Sequence, residues 1–285
     1  MTEQQFDAAV GRYVHLDLDG VDYRVYFEET GSGVPVLLQH TAGADGRQWR
    51  HVLEDAGLRE EFRLIAYDLP YHGKSVPPTG KTWWREPYRL TKDFLMRVPV
   101  TLARTLRLDR PVYMGSSIGG HLAVDLAIHH AADFRALIGL ETAPHTPGGY
   151  NDEFYHPEIG NDFKAHLMYG MMAPTSPEAF RRETAWVYSQ GAPAVFRGDL
   201  YYYSVDHDVR NSAAGIDTRA CPLYILNGEY DWSGTPALGE ELAAMIPGAR
   251  YRTMDGLGHF PMSENPELFL QEIRPVMDEI LLRSV

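Results

Sequence analysis

The chain has one cysteine, Cys221, among 285 residues. An internal disulfide is thereby excluded, and a lone thiol suits a reducing compartment. Cys221 stands just before an apolar run of strand length, the place of a small buried hydrophobe rather than a reactive group. No apolar run approaches the ~18 to 20 residues that a membrane span requires. The opening residues, Met1 to Asp7, have neither the basic nor the apolar stretch of a secretory signal, so a cytoplasmic location is expected. Positive charge is also short: 26 Lys and Arg against 39 Asp and Glu leave a formal charge of −13. A nucleic-acid surface needs clustered Lys and Arg, so no nucleic-acid partner is expected. The chain has no Gly-x-Gly-x-x-Gly pattern and no phosphate loop, which argues against a nucleotide cofactor. None of its 12 histidines forms a pair with metal-ligand spacing, and the adjacent His129 and His130 face different ways. No metal and no other cofactor is therefore expected. Internal repeats and low-complexity tracts are missing too.

What is present is a hydrophobic fraction of 44%, ample for a large core. Tyr13–Asp17 and Tyr23–Glu29 alternate like hairpin strands around Asp19-Gly20. Val34–Gln39, Phe62–Tyr67, Pro111–Met114, Ala136–Leu140, Pro222–Leu226 and Tyr251–Met254 read as short strands, most of them buried. Helical spacing marks Leu90–Leu108, Ile118–His130 and Pro266–Leu282. Strands alternating with helices indicate βαβ units and a mostly parallel sheet. The stretch 144–216 breaks this rhythm. It carries Pro147-Gly148-Gly149 and then helical segments rich in Tyr, Met, Phe, His and Trp. An insertion there would lie over the carboxyl edge of the sheet, where ligands bind in open α/β folds. The expected division is a core of residues 1–143 and 217–285 and a helical cap of residues 144–216.

Gly115-Ser116-Ser117-Ile118-Gly119 is the most informative stretch. It reads G-x-S-x-G between a strand and a helix, the context of a nucleophile elbow, where a sharp turn exposes a serine hydroxyl. The register is unambiguous: centring on Ser116 would require glycines at Met114 and Ile118, so Ser117 is the candidate nucleophile. A serine hydroxyl needs a base, and the base needs an orienter. In this architecture the order is Ser, then Asp or Glu, then His. Asp231, in the turn after Pro222–Leu226, and His259, after Tyr251–Met254, supply it. Glu141, ending the strand after the elbow helix, is a rival for the acid position. The N–H of Ile118, at the positive end of its helix, is a candidate oxyanion donor.

Together these segments resemble the α/β-hydrolase superfamily. The match rests on the elbow, on Gly228-Glu229-Tyr230-Asp231, and on Gly258-His259-Phe260-Pro261 with Ser263–Pro266 behind it. Val36–Gly43 resembles the family's strand leading into its His-Gly oxyanion loop, and Tyr67–Ser75 its Asp-x-Pro-Gly-His-Gly-x-Ser turn. The resemblance covers the two ends of the chain and leaves out about the middle quarter. It implies an α/β-hydrolase fold with an inserted helical cap and a Ser117-His259-Asp231 triad. It also implies a second oxyanion donor at Ala42 and a structural role for His40. Two residues depart from the pattern. Thr41 stands where glycine usually follows the histidine, and Tyr71 replaces the glycine of the Pro-Gly-His-Gly turn.

The chemistry expected is cofactor-independent serine hydrolysis of a carboxylic ester, including a lactone or thioester, with an apolar or aromatic part. Carbon–carbon hydrolysis of a diketone-like ring-cleavage product stays open. The relatives that perform it commonly carry tryptophan after the histidine, where this chain has Phe260. A receptor-like member that binds a small molecule also stays open. Trp83, Trp84, Trp186 and Phe260 are the candidate substrate contacts, with a small ester-type molecule as the expected partner.

Overall fold

The computed structural model describes residues 6–155 and 162–283. Eight strands form one sheet: β1 (Val10–Leu18), β2 (Val21–Thr30), β3 (Val34–Gln39), β4 (Phe62–Tyr67), β5 (Val112–Ser116), β6 (Ala136–Leu140), β7 (Leu223–Gly228) and β8 (Arg250–Met254). Their order across it is β1-β2-β4-β3-β5-β6-β7-β8. β1 and β2 form an antiparallel hairpin whose turn residues, Asp19 and Gly20, both have positive φ, as tight hairpin turns require. β2 also meets β4 antiparallel, and every later pairing is parallel. The inner parallel strands read as continuous apolar runs because both faces are covered, while the edge strand β8, with Arg250 and Arg252, is largely open to solvent. Leu37, Tyr113 and Leu137 pack on one face, and Val36, Leu38, Met114 and Ile138 on the other.

Helices cover both faces. α1 (Arg50–Glu54) and α2 (Ala56–Glu61) lie between β3 and β4. α3 (Lys92–Thr105) is shorter than the apolar spacing suggests. Thr91 caps its start by accepting the Phe94 N–H, and Arg107 takes a left-handed φ of 54° just past its end. α4 (Ile118–His129) follows β5 directly. Between β6 and β7 come α5 (Asp162–Tyr169), α6 (Glu178–Ser189) and α7 (Val195–Tyr201), the last running into a π-helical turn at Tyr202–Asp206. This excursion is mainly helical, as its sequence suggests, and residues 156–161 of it lie outside the described residues. Its two ends are tied together: Val209 N–H donates to Pro144 O at 3.0 Å, and His145 and Asp208 form an isolated bridge. α8 (Pro236–Met245), α9 (Pro261–Glu264) and α10 (Pro266–Leu282) complete the chain. Among the described residues no helix is long and apolar enough to cross a membrane. Cys221 is buried, and burial pushes its thiol up to about 12, which keeps it protonated and inert.

The tightest packing lies where α4 leaves β5. A Cβ on Gly115 would fall 2.6 Å from backbone atoms of Gly119, and one on Gly119 would fall 2.7 Å from Gln39 Cγ. At Gly120 it would fall 2.0 Å from Leu140 O, on the neighbouring strand. The small-residue run thus sets how close the helix comes to β3, β5 and β6. Gly120→Ala is expected to lower unfolding stability by about 1–3 kcal/mol, the usual cost of overpacking. Urea denaturation checks this, and an unchanged midpoint would contradict it.

Candidate active site

Four successive parallel strands end at the same edge of the sheet, and each delivers one residue of interest there. Ser117 follows β5, Glu141 follows β6, Asp231 lies just beyond β7, and His259 lies beyond β8. The chain reverses direction across the sheet between β3 and β5, so the crevice expected in open α/β folds opens at this edge. Ser117 has φ 59° and ψ −112°, a strained conformation for a residue with a side chain. Its N–H donates to Leu140 O at 2.9 Å, which ties the turn to β6. Ile118 opens α4, so its N–H belongs to the helix's first turn, which lacks intrahelical acceptors.

The two acids have different surroundings. Asp231 Oδ2 lies 2.7 Å from His259 Nδ1 and also accepts the Gly234 N–H at 3.0 Å. Its Oδ1 accepts the Ser233 N–H at 2.7 Å. Burial alone would raise the Asp231 carboxyl, but the charge and hydrogen bond of His259 outweigh it and hold the group below its ordinary range. Glu141 is fully buried at a positive φ of 54°. Both its oxygens face the Gly228 N–H, at 2.8 and 3.0 Å, and its carboxyl hydrogen-bonds Asp231. Burial first, and then the Asp231 charge, push it well above the carboxylate range. This shift favours the protonated form of Glu141, whose O–H can donate a hydrogen bond to Asp231. The imidazole of His259 meets Asp231, and Glu141 stands behind that acid.

The loop carrying His259 is held from beneath by Glu264. This buried carboxylate accepts the N–H groups on either side of the histidine, Gly258 at 2.8 Å and Phe260 at 3.1 Å. It also accepts Ala173 N–H and Ser176 Oγ, both at 2.9 Å, from the segment between α5 and α6. The His259 N–H donates to Met171 O at 3.1 Å. One carboxylate thus joins the histidine loop to the helical excursion above it. Burial raises Glu264 from its usual range, and these donors offset part of the shift.

Residues 41–44 form the loop after β3. The Thr41 N–H donates to Gln48 Oε1 at 3.0 Å, Gly43 N–H to Asp199 Oδ2 at 2.7 Å, and Ala44 N–H to Thr41 O at 3.4 Å. Among the described residues, only the Ala42 N–H of these four has no acceptor. Thr41, at the glycine position, turns its hydroxyl to Gln48 and to Tyr188 of α6. His40 is buried below the loop. Its Nε2 accepts the Leu69 N–H at 3.0 Å, which places the proton on Nδ1 for donation to Thr41 O at 2.8 Å. Burial and the nearby His72 pull His40 down to about 4, so it is neutral near pH 7. Tyr71 keeps the glycine-like turn, with φ 76°. His72 N–H donates to Leu69 O at 2.9 Å and Tyr71 N–H to Ser75 O at 2.8 Å, and the Tyr71 ring packs against Tyr88.

The three tryptophans expected to wall a pocket face solvent instead: Trp83, Trp84 and Trp186 are 44, 63 and 58% exposed. Trp83 and Trp84 sit on a short 3-10 turn and pack mainly on each other and on Tyr71, while Trp186 meets Arg47 on the outer side of α6. The helical periodicity of α6 could have shown this, since Thr184, Val187 and Tyr188 form its buried side. Phe260 is fully buried, edge-on to His259 and tilted against Tyr188. Other rings reach the loops. Phe196 abuts Gly43, and Tyr203 stacks on His121, whose Nδ1 lies 3.1 Å from Ser117 O. Sequence reasoning passed over Asp199, Asp125 and Lys164. A buried carboxylate between helical segments leaves no periodic signal, and only the mainly apolar and aromatic setting of Asp199 within Val195–Tyr203 hinted at it.

Residues 36–272 match the model of the alpha/beta hydrolase family. A 2-hydroxy-6-oxononadienedioate/2-hydroxy-6-oxononatrienedioate hydrolase from Burkholderia vietnamiensis is 32% identical over 44% of this chain. That match spans 42% of the relative's own length. A pimeloyl-(acyl-carrier protein) methyl ester esterase from Edwardsiella ictaluri is 25% identical, covering 86% of this chain and 94% of that protein. The structure of a thermophilic esterase from Thermogutta terrifontis superposes with a TM-score of 0.78 at 22% identity, over 94% of this chain and 99% of that one. This last likeness is one of fold.

His40 gives a stability test for the loop. Its folded-state pKa is lowered from 6.5 to about 4, so between these values the unfolded chain binds the proton more readily. Stability from this group is present above about pH 6.5 and is lost as pH falls through about 4, a change of ~3 kcal/mol. The unfolding free-energy gap between wild type and His40→Asn should narrow by that amount between pH 7 and pH 4. A gap that stays constant would show that His40 is not held neutral.

Proposed function

The chain belongs to the alpha/beta hydrolase family, and from that premise we propose that it is a cofactor-independent serine hydrolase of carboxylic esters. In this reading Ser117 Oγ attacks the ester carbonyl while His259 Nε2 takes its proton. The Nδ1–H of His259 faces Asp231 at 2.7 Å, which leaves Nε2 as the basic nitrogen. The same imidazole returns the proton to the departing alcohol, and water then cleaves the acyl-serine by the reverse sequence. The tetrahedral oxyanion is received by the N–H groups of Ile118 and Ala42. The pattern at residues 41–44 supports the Ala42 assignment, since its neighbours' N–H groups are engaged and its own is open.

The observation that carries this reading is the backbone of Ser117. A positive φ on a serine, enforced by glycines that would clash if given side chains, is a cost of order 1–3 kcal/mol. A turn serine with no other task would relax or be glycine. Asp231 serves as the triad acid in this account, with Glu141 as a protonated donor that fixes its orientation. The excursion of residues 144–216 acts as the cap, supported by its paired ends and by the hydrogen bonds of Tyr188, Asp199 and Ala173 to the core loops. Substrate then meets a wall formed by Tyr188, Phe196 and Tyr203 rather than by the exposed tryptophans. Carbon–carbon hydrolysis remains a second reading, favoured by the likeness to the oxononadienedioate hydrolase. It would use the same serine and histidine.

Ser117→Ala should leave the fold intact and lower kcat/KM on an activated ester such as p-nitrophenyl acetate by several orders of magnitude. Retained turnover would overturn the elbow assignment. Asp231→Asn should cost at least about tenfold more in kcat than Glu141→Gln, because Gln can still donate a hydrogen bond to Asp231 while Asn at 231 disturbs the histidine tautomer. The opposite ranking would move the acid to Glu141.

A further inference from the structure

Between α5, α7 and the loop after β3 lies one buried cation with no hydrogen-bond acceptor among the described residues. Asp199, fully buried on α7, accepts Gly43 N–H at 2.7 Å and His72 Nε2–H at 2.8 Å on Oδ2, and Tyr88 O–H at 3.1 Å on Oδ1. His72 faces a second acceptor with its other nitrogen, Pro70 O at 3.0 Å, so both ring nitrogens donate and the ring is an imidazolium. Its charge cancels that of Asp199. Asp45 is cancelled in the same way by Arg47, through bonds of 2.7 and 2.6 Å. Asp68 nearby accepts the Gly46 N–H at 2.8 Å and the Lys74 N–H at 2.7 Å, and the cation left without an acceptor is Lys164 of α5.

Lys164 is only 5% exposed, and its ammonium is buried with no hydrogen-bond acceptor among the described residues. Its position is fixed by Gly191, just past α6. A Cβ there would lie 3.6 Å from Lys164 Nζ and 2.5 Å from Gly43 O. The ammonium therefore sits at the seam between the helical excursion and the loop that carries Ala42. Lysine normally runs its stem along apolar surface and keeps its charge in water. Holding that charge inside without an acceptor is costly unless another group pairs with it. Asp199, the carboxylate that acts on it, already has its donors. Burial lowers the amine to about 8, which leaves it mostly charged at neutral pH.

We propose that Lys164 receives an ionised carboxylate carried by the substrate, so that the enzyme prefers esters bearing a second, free carboxyl group. The inference rests on the serine-hydrolase reading and names its substrate class. A single unpaired ammonium matches a monoanion. A phosphate dianion would bring a second negative charge into the seam with nothing to meet it.

The test compares kcat/KM for mono-p-nitrophenyl esters of straight-chain dicarboxylic acids of graded length with their neutral amide-capped counterparts. A parallel pair, 4-carboxyphenyl and 4-carbamoylphenyl acetate, places the charge on the alcohol side. At the best length or side, wild type should favour the free acid by about tenfold or more, the worth of a buried charge-assisted hydrogen bond. The ratio should fall to near one in Lys164→Met and be partly kept in Lys164→Arg. Wild-type ratios near one throughout, or a ratio unchanged in Lys164→Met, would overturn the proposal. If the Met variant fails to fold, Lys164→Gln takes its place. A second measurement does not depend on turnover: adipate should bind Ser117→Ala and bind at least about tenfold more weakly once Lys164→Met is added. Equal adipate affinities would overturn the role of Lys164. Absence of hydrolysis for every ester, with adipate binding still dependent on Lys164, would instead overturn the hydrolase reading.

Discussion

The approach of α4 to the sheet is the constraint on which the site depends. Gly115, Gly119 and Gly120 let the helix rest directly on the ends of β3, β5 and β6, at distances that a single methyl group would prevent. The connection between strand and helix then has no room for a relaxed turn, and Ser117 takes a positive φ. Packing energy spread over a helix buried along most of its length holds this local strain in place. Every buried residue from Ile118 to Leu126 contributes to that packing. The same arrangement presents the first N–H of the helix beside the serine, so the strained turn and the dipole of α4 act at one point.

Buried carboxyl groups organise the rest. Glu264 ties both flanks of the histidine to the segment after α5, and Asp199 ties the loop at Gly43 to α7. Asp125 does the same between α4 and the π-helical turn, accepting Tyr202 O–H at 2.7 Å and facing His207 Nδ1 at 2.8 Å. Each is a costly group made tolerable by several donors, and each set of bonds joins the core to the helical excursion. The excursion is thus attached to the loops that carry Gly43 and His259 by directional bonds as well as by apolar contact. Glu141 belongs to this set with a difference. It lies against another acid, and its raised carboxyl favours the protonated form, which contributes a donor where two negative charges would repel.

Much of this was legible in the sequence, for physical reasons. Parallel strands buried on both faces produce unbroken apolar runs, and each of those runs is a strand here. The strand-to-helix turn at Ser117 was readable because its geometry admits only glycine at several positions, and the fold it implies places Asp231 and His259 at the same sheet edge. Tyr71 shows the limit of such reading: a tyrosine in a glycine position leaves the turn in question, yet it adopts φ 76° and repays the strain by packing on Tyr88 and Tyr23. The tryptophans mislead because aromatic content says nothing about direction. On α6 the buried side holds Tyr188, while Trp186 points outward. Contacts such as Asp199 with Gly43 and His72, more than a hundred residues apart, have no local signature at all.

The central claim is that the strained serine is the residue that bonds to substrate. Intact-mass analysis after treatment with a fluorophosphonate, followed by peptide mapping, tests it most directly. The account predicts a single adduct located on Ser117, and loss of that adduct in the unfolded chain, where neither the turn nor the histidine is in place. An adduct on another serine, or equal labelling of the folded and the unfolded protein, would contradict it.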